Sequence, residues 1–203
     1  MPRISEQDRA ARRQRIVDAA WRRLGTTGYH DTSVDDVCDE AGVSKGAFYG
    51  YFDAKQDLFL ALLDEETAAL NGVAAELAHE DLAGAERVRR FVQAMLEVGD
   101  SAGRVQLRAD LWSELGADPV VRERFAEAVE RRRTVLREWI TRSIDAGDLA
   151  IERRRANALA SILIAMADGL MLHRALDPRG FRWPNIRAVL DALLAGIDSA
   201  PEA

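Results

Sequence analysis

Lys45, Ala47 and Tyr49 stand in the run Ala41-Gly42-Val43-Ser44-Lys45-Gly46-Ala47-Phe48-Tyr49-Gly50-Tyr51-Phe52, and their side chains suit the floor and walls of a DNA groove. A lysine ammonium donates to guanine edges or to a phosphate, an alanine methyl touches a thymine methyl, and a phenol hydroxyl donates to a phosphate oxygen. Gly46 lets the backbone itself come close, and the free amides near Ser44 to Gly46 favour an anionic phosphate. Ser33, Ser44, Gly50 and Lys55 complete the expected contact set, with Lys55 placed in the first turn of the following helix to hold the flanking backbone.

Short elements must present these groups. Ser33 to Ala41 begins on a good helix cap and places Val34, Val37, Cys38 and Ala41 on one side, with Asp35, Asp36, Asp39 and Glu40 facing away. Gly42 sits where a helix ends in a left-handed conformation, and Ser44 caps the next helix through its hydroxyl. Two helices therefore meet across about four residues, the spacing of a helix-turn-helix. Phe48 and Phe52 supply the apolar side that anchors the second helix, and Asp53 with Gln56 forms a capping-box-like start for the next.

From about Arg9 to Leu63 the chain resembles the DNA-binding domain of the tetracycline-repressor (TetR) family. The matching segments are Arg15-Ile16-Val17-Asp18-Ala19-Ala20-Trp21, the Gly28-Tyr29 loop, Thr32-Ser33-Val34-Asp35-Asp36-Val37, the turn above and Tyr51-Phe52-Asp53-Ala54-Lys55. The resemblance implies a three-helix DNA-binding head, a larger helical ligand-binding body, and a homodimer that represses until a small molecule releases it from a double-stranded operator. Ala47 stands where threonine is frequent in the family, and Gly50 where a larger side chain is common. Base-contacting capacity is thinner in consequence, and the operator sequence does not follow from the resemblance.

Composition narrows the classes. The chain of 203 residues is 48% hydrophobic, enough for a substantial core. A net charge of -6 argues against a wholly basic nucleic-acid binder, so DNA affinity must come from a local patch. Arg3, Arg9, Arg12, Arg13, Arg15, Arg22 and Arg23 crowd the start, against Glu6, Asp8 and Asp18. Beside a helix-turn-helix they read as a phosphate-tracking face, the first of them suiting an adjacent minor groove by analogy with other DNA-binding arms. The single cysteine, Cys38, falls in the head's core, rules out an intrachain disulfide and fits a cytoplasmic protein. No signal peptide is expected, and the apolar stretch from Leu159 to Leu172 is interrupted by Ser161 and Asp168, so no membrane partner is expected.

The remainder reads as helix upon helix, and the expected fold is all-α. A helix-turn-helix head over residues 1–54 precedes a helical-bundle domain for effector binding and dimerisation over residues 55–203. One helix from Lys55 to about Glu80 links them. Gly84, the stretch from Gly99 to Gly103, Asp118-Pro119, Gly147, the loop from Pro178 to Gly180 and Trp183-Pro184 mark the later boundaries, the last helix running to about Ile197. The Arg153–Leu176 segment is apolar nearly all round, so both of its faces need cover. Leu159, Ile162 and Leu163 on it, with Val189, Leu193 and Leu194 on the final helix, are the expected dimer contacts, making a four-helix interface across a twofold axis.

Phe91, Met95, Leu111, Trp112, Trp139, Met166, Leu170 and Met171 are candidate walls for an apolar or aromatic effector, and Asp168 and His173 could orient a hydroxyl or cationic group on it. Each serves equally as plain core or as a partner for a neighbouring helix. No cofactor, metal site or catalytic residue is expected. The chain lacks GxxxxGK[ST], HExxH, paired cysteines and GxSxG, and Ser161, Asp168 and His173 leave one helix in different directions. A second class stays open, a helical ligand-binding dimer whose head no longer reads DNA.

Overall fold

The computed structural model describes residues 5–82, 84–177 and 179–198. Arg3, Pro178 and the Ile197 side chain lie outside the described residues. Among the described residues the architecture is all-helical: α1 (Glu6–Asp31), α2 (Val34–Ala41), α3 (Lys45–Phe48), α4 (Lys55–Leu77), α5 (Gly84–Val98), α6 (Ala102–Ala117), α7 (Pro119–Asp145), a 3-10 turn (Arg153–Arg155), α8 (Ala156–Leu176) and α9 (Trp183–Asp198).

Local chemistry sets most boundaries. Ser5, Ser33, Ser44 and Ser101 each cap a helix by accepting a backbone N–H three residues on. Asp118 accepts from the Val120 amide at 2.8 Å, with Pro119 as the first residue of α7. Gly42 closes α2 at φ 64°, and Gly147 follows α7 at φ 83°. The cap expected from Asp53 and Gln56 is built differently. The Ala54 amide donates to Asp57 at 3.0 Å, while the Gln56 amide nitrogen donates to Asp118, because Ala54 rather than Asp53 directly precedes the helix.

The chain forms two compact units. The first comprises residues up to Glu66 together with Ser101–Phe125; the second comprises Thr67–Asp100 and the residues from Ala126 onward. The first unit holds α1, α2, α3, the first half of α4, and also α6. Its core includes Ile16, Val17, Leu24, Val37, Phe48, Phe59, Leu62, Leu107 and Val121. α6 reaches α1 at very close range. A Cβ on Gly103 would lie 2.5 Å from the Trp21 carbonyl oxygen, and one on Gly25 would lie 3.0 Å from the Gly103 nitrogen, so only glycine permits this crossing. Glu66, buried on α4, joins the same contact through ion pairs to Arg104 and to Arg108, the latter at 2.5 Å.

The second unit packs around Phe91, Met95, Leu136, Trp139, Ile140, Leu163, Ala167 and Met171. α8 is long and apolar enough by composition to cross a membrane, yet Ala156, Ala160, Leu163, Ile164, Ala167 and Met171 on it are buried in this core. Its remaining apolar residues include Ile162, 60% exposed.

Candidate nucleic-acid interface

The reading surface hangs from two aromatic anchors. Phe48 is fully buried and Phe52 nearly so, their ring centroids 5.5 Å apart, and this fixes α3 on the first unit's core. α3 itself is one turn, because Gly50 and Tyr51 bond back to Ala47 and Phe48 in a tight turn. Lys45, Gly46, Tyr49 and Gly50 are exposed and Ala47 is half-buried. A Cβ on Gly46 would meet nothing within 4 Å, so an incoming backbone or base has room there.

Upstream, Gly28 turns the chain at φ 79° and ψ 170°, a conformation that glycine adopts without Cβ strain. The Thr32 hydroxyl donates to the Gly28 carbonyl at 2.6 Å, and the Tyr29 amide donates to Asp110 of α6 at 2.8 Å. This pinned bend delivers Ser33 to the start of α2. There Ser33 and Asp36 complete a reciprocal capping box, and the Ser33 hydrogen bonds hold the Asp36 carboxyl below its ordinary range.

Charge is arranged around α3. The Arg9 and Arg13 guanidiniums lie 5.8 Å and 5.2 Å from the Tyr51 and Phe52 ring centroids, which brings the arginine-rich face of α1 beside the turn. Arg22 pairs with Glu40 at 2.6 Å, and Arg23 with Asp36 at 3.3 Å. Lys45 bonds Asp35 at 2.8 Å, a contact that raises its pKa above the ordinary lysine value. Lys55 turns inward. Its ammonium donates to the His30 carbonyl at 3.2 Å and lies 4.3 Å from the Tyr29 ring centroid, and burial lowers its pKa. Sequence reasoning named Lys45 but missed Asp35 and Tyr51 as members of this surface. The four-residue spacing of Arg9 and Arg13 was the available signal for a basic stripe beside the turn. Cys38 is buried, and that burial raises its thiol pKa.

The candidate effector residues do not all come together. Phe91, Met95, Trp139 and Met171 are buried in the second unit's core, with Met166 and Leu170 packed against it. Leu111 belongs to the first unit's core and Trp112, also on α6, is 64% exposed, so neither joins that group. Asp168 faces fully buried Arg132 at 3.9 Å, and Arg132 also donates to Asn71 at 3.1 Å. His173 is exposed. Arg87 lies 5.7 Å from the Trp139 ring centroid and donates to Ser143 at 3.2 Å.

The expected dimer contacts divide in the same way. Leu163 and Leu194 are buried within the unit, so they face its own core rather than a partner. Ile162, Val189 and Leu193 are exposed, and Leu159 is half-buried. Between α8 and α9 lies an open apolar groove of about 330 Å³, lined by Met166, Leu170, Ile186, Val189, Leu190 and Leu193 with Asn185.

Residues 16–62 match the bacterial regulatory proteins of the tetR family, and residues 84–199 match the C-terminal domain of BetI-type transcriptional repressors. The chain belongs to the TetR family of transcriptional regulators. It is 30% identical over 185 residues to the regulator BetI of Brucella anthropi, spanning 87% of each chain. It is 29% identical over 193 residues to a helix-turn-helix transcriptional repressor of Mycobacterium tuberculosis, covering 94% of this chain and 95% of that one. A regulator from Saccharomonospora viridis, solved in complex with choline, superposes with a TM-score of 0.77 at 25% identity, covering 92% of this chain and 96% of that one. The helix-turn-helix and the BetI-type C-terminal domain make this TetR-family protein a transcriptional repressor, not an enzyme.

Proposed function

We propose that the chain acts in the cytoplasm as a homodimer on a palindromic operator, residues 1–54 reading DNA and residues 55–203 binding an effector and pairing the subunits. The carrying observation is the exposed Lys45, Gly46 and Tyr49 on a turn fixed by buried Phe48 and Phe52. Ser33, Ser44, Ala47 and Gly50 border the same surface. Lys55 supports it from below, fixing the Tyr29–His30 corner through its bond to the His30 carbonyl. Two such heads would enter successive major grooves, and pairing them doubles the sequence read.

Ile162, Val189 and Leu193, with the groove between α8 and α9, form the surface that a second copy would cover. The effector is a small molecule held in the second unit, whose core is rich in aromatic and thioether side chains, Phe91, Met95, Trp139 and Met171 among them, with Asp168 facing Arg132. Choline in the Saccharomonospora viridis protein supports a small cationic organic effector, whose ammonium would favour aromatic faces and a carboxylate. For release, the effector must bind the DNA-competent and DNA-incompetent arrangements with different affinity, and a coupling of roughly 1 to 3 kcal/mol is typical.

Selection of genomic fragments on the purified protein tests the reading, with Lys45→Ala, Tyr49→Ala as control. Enrichment of a palindrome by the parent and its loss by the double variant is the expected result. A folded dimer that enriches no sequence at any salt concentration would leave a ligand-binding dimer in place of a DNA reader.

A further inference from the structure

The ion pair between Asp35 and Lys45 joins the reading turn to the helix before it. The Lys45 ammonium lies 2.8 Å from one Asp35 oxygen and 3.0 Å from the other, so it bridges both. The two side chains stay 65% and 55% exposed, respectively, and exposed pairs of this kind add little to stability. Their backbones are firmly held: Asp35 lies in the first turn of α2, inside the Ser33–Asp36 capping box, and Lys45 follows the Ser44 cap, one turn before buried Phe48. A cationic donor and an anionic acceptor are thus presented side by side at fixed separation.

Phosphate offers only acceptors and negative charge, so a carboxylate beside the ammonium makes a poor phosphate clamp. The major-groove edge of a G·C pair is different. Guanine N7 and O6 accept, and the cytosine N4 amino group beside O6 donates. The pair on the protein has the complementary order. On an A·T pair the single donor, adenine N6, lies between two acceptors, so the ammonium meets one acceptor rather than two neighbouring ones.

Resting on the DNA-reading role proposed above, we infer that Asp35 and Lys45 read one G·C base pair per half-site as a unit. Lys45 keeps one of its three N–H groups on Asp35 and donates the other two to guanine O6 and N7, while Asp35 accepts from the cytosine N4 amino group. Asp35 is then a specificity-determining residue, and its negative charge also turns the turn away from non-specific backbone binding.

The test is parallel sequence selection with the parent, Asp35→Ala, Asp35→Asn and Lys45→Ala, each checked for unchanged helix content and melting temperature. The parent is expected to enrich a palindrome with one invariant G·C pair in each half. Asp35→Ala should lose preference at that pair by roughly tenfold or more and keep the other positions, with its non-specific affinity equal or higher. Lys45→Ala should relax the same pair. If Asp35→Ala retains the parent's full sequence preference and binds all sites more tightly by one common factor, Asp35 is only a repelling charge and the inference falls. If the parent itself enriches no sequence, the DNA-reading role falls and takes this one with it.

Discussion

Tyr29 shows how one residue's environment is set by neighbours far away in the chain. Burial and the nearby carboxylates of Glu114 and Asp118 push its pKa from 10.0 up to about 12. For an acid whose folded pKa is raised, the unfolded chain ionises first, so this group costs stability as pH rises from about 10, and the loss levels off above about 12. Ultraviolet titration of the phenols should show one of the three tyrosines ionising last, and Tyr29→Phe should remove that late step and flatten the alkaline fall in melting temperature. At this scale the sequence was readable wherever chemistry is local. Ser33, Gly42, Ser44 and the Asp118-Pro119 step act on backbone within a few residues, and all are where the pattern put them. The contacts Lys55 makes to Tyr29 and His30 were not legible, because those partners come from a different helix end.

Elements are joined by interactions that no periodicity announces. Glu66 is buried and holds both Arg104 and Arg108, which fastens α4 to α6 within the first unit. Removing one member of such a buried cluster leaves charge without compensation, at a cost of about 3 to 5 kcal/mol. Glu66→Ala should therefore lower the denaturation midpoint strongly, measured by helix signal in urea, whereas Asp64→Ala, losing an exposed pair with Arg124, should change it by about 1 kcal/mol or less. Helical spacing located α6 and its apolar residues, yet gave no hint that Leu111 and exposed Trp112 belong with the reading unit rather than with Phe91 and Trp139. That placement depends on the match of Gly103 to Gly25 and Trp21, glycines whose partners are visible only in three dimensions.

For the whole molecule, the apolar excess on α8 and α9 was legible as an excess, because a helix apolar nearly all round needs two covers. Which residues take which cover was not. Leu163 and Leu194 turned to the unit's own core while Ile162, Val189 and Leu193 remained outside, since helix rotation is fixed by packing against neighbouring helices. Val189→Glu with Leu193→Glu should leave the subunit folded, with its melting temperature within a few degrees of the parent. Sedimentation should show a monomer, and affinity for a palindromic site should collapse while binding to a half-site persists weakly. A double variant that still sediments as a dimer would move the subunit contact elsewhere.

The membership of α6 in the first unit has a consequence for modularity. The chain leaves this unit after Glu66, returns at Ser101 and leaves again after Phe125. A recombinant exchange of DNA specificity between relatives, cut after the third helix or within α4, would separate Gly25 and Trp21 from Gly103, and a cut beyond Glu66 would also part that carboxylate from Arg104 and Arg108. The transplantable cassette is discontinuous, two stretches of chain rather than one, and natural shuffling of operator specificity by single crossovers is constrained to exchanges that carry both.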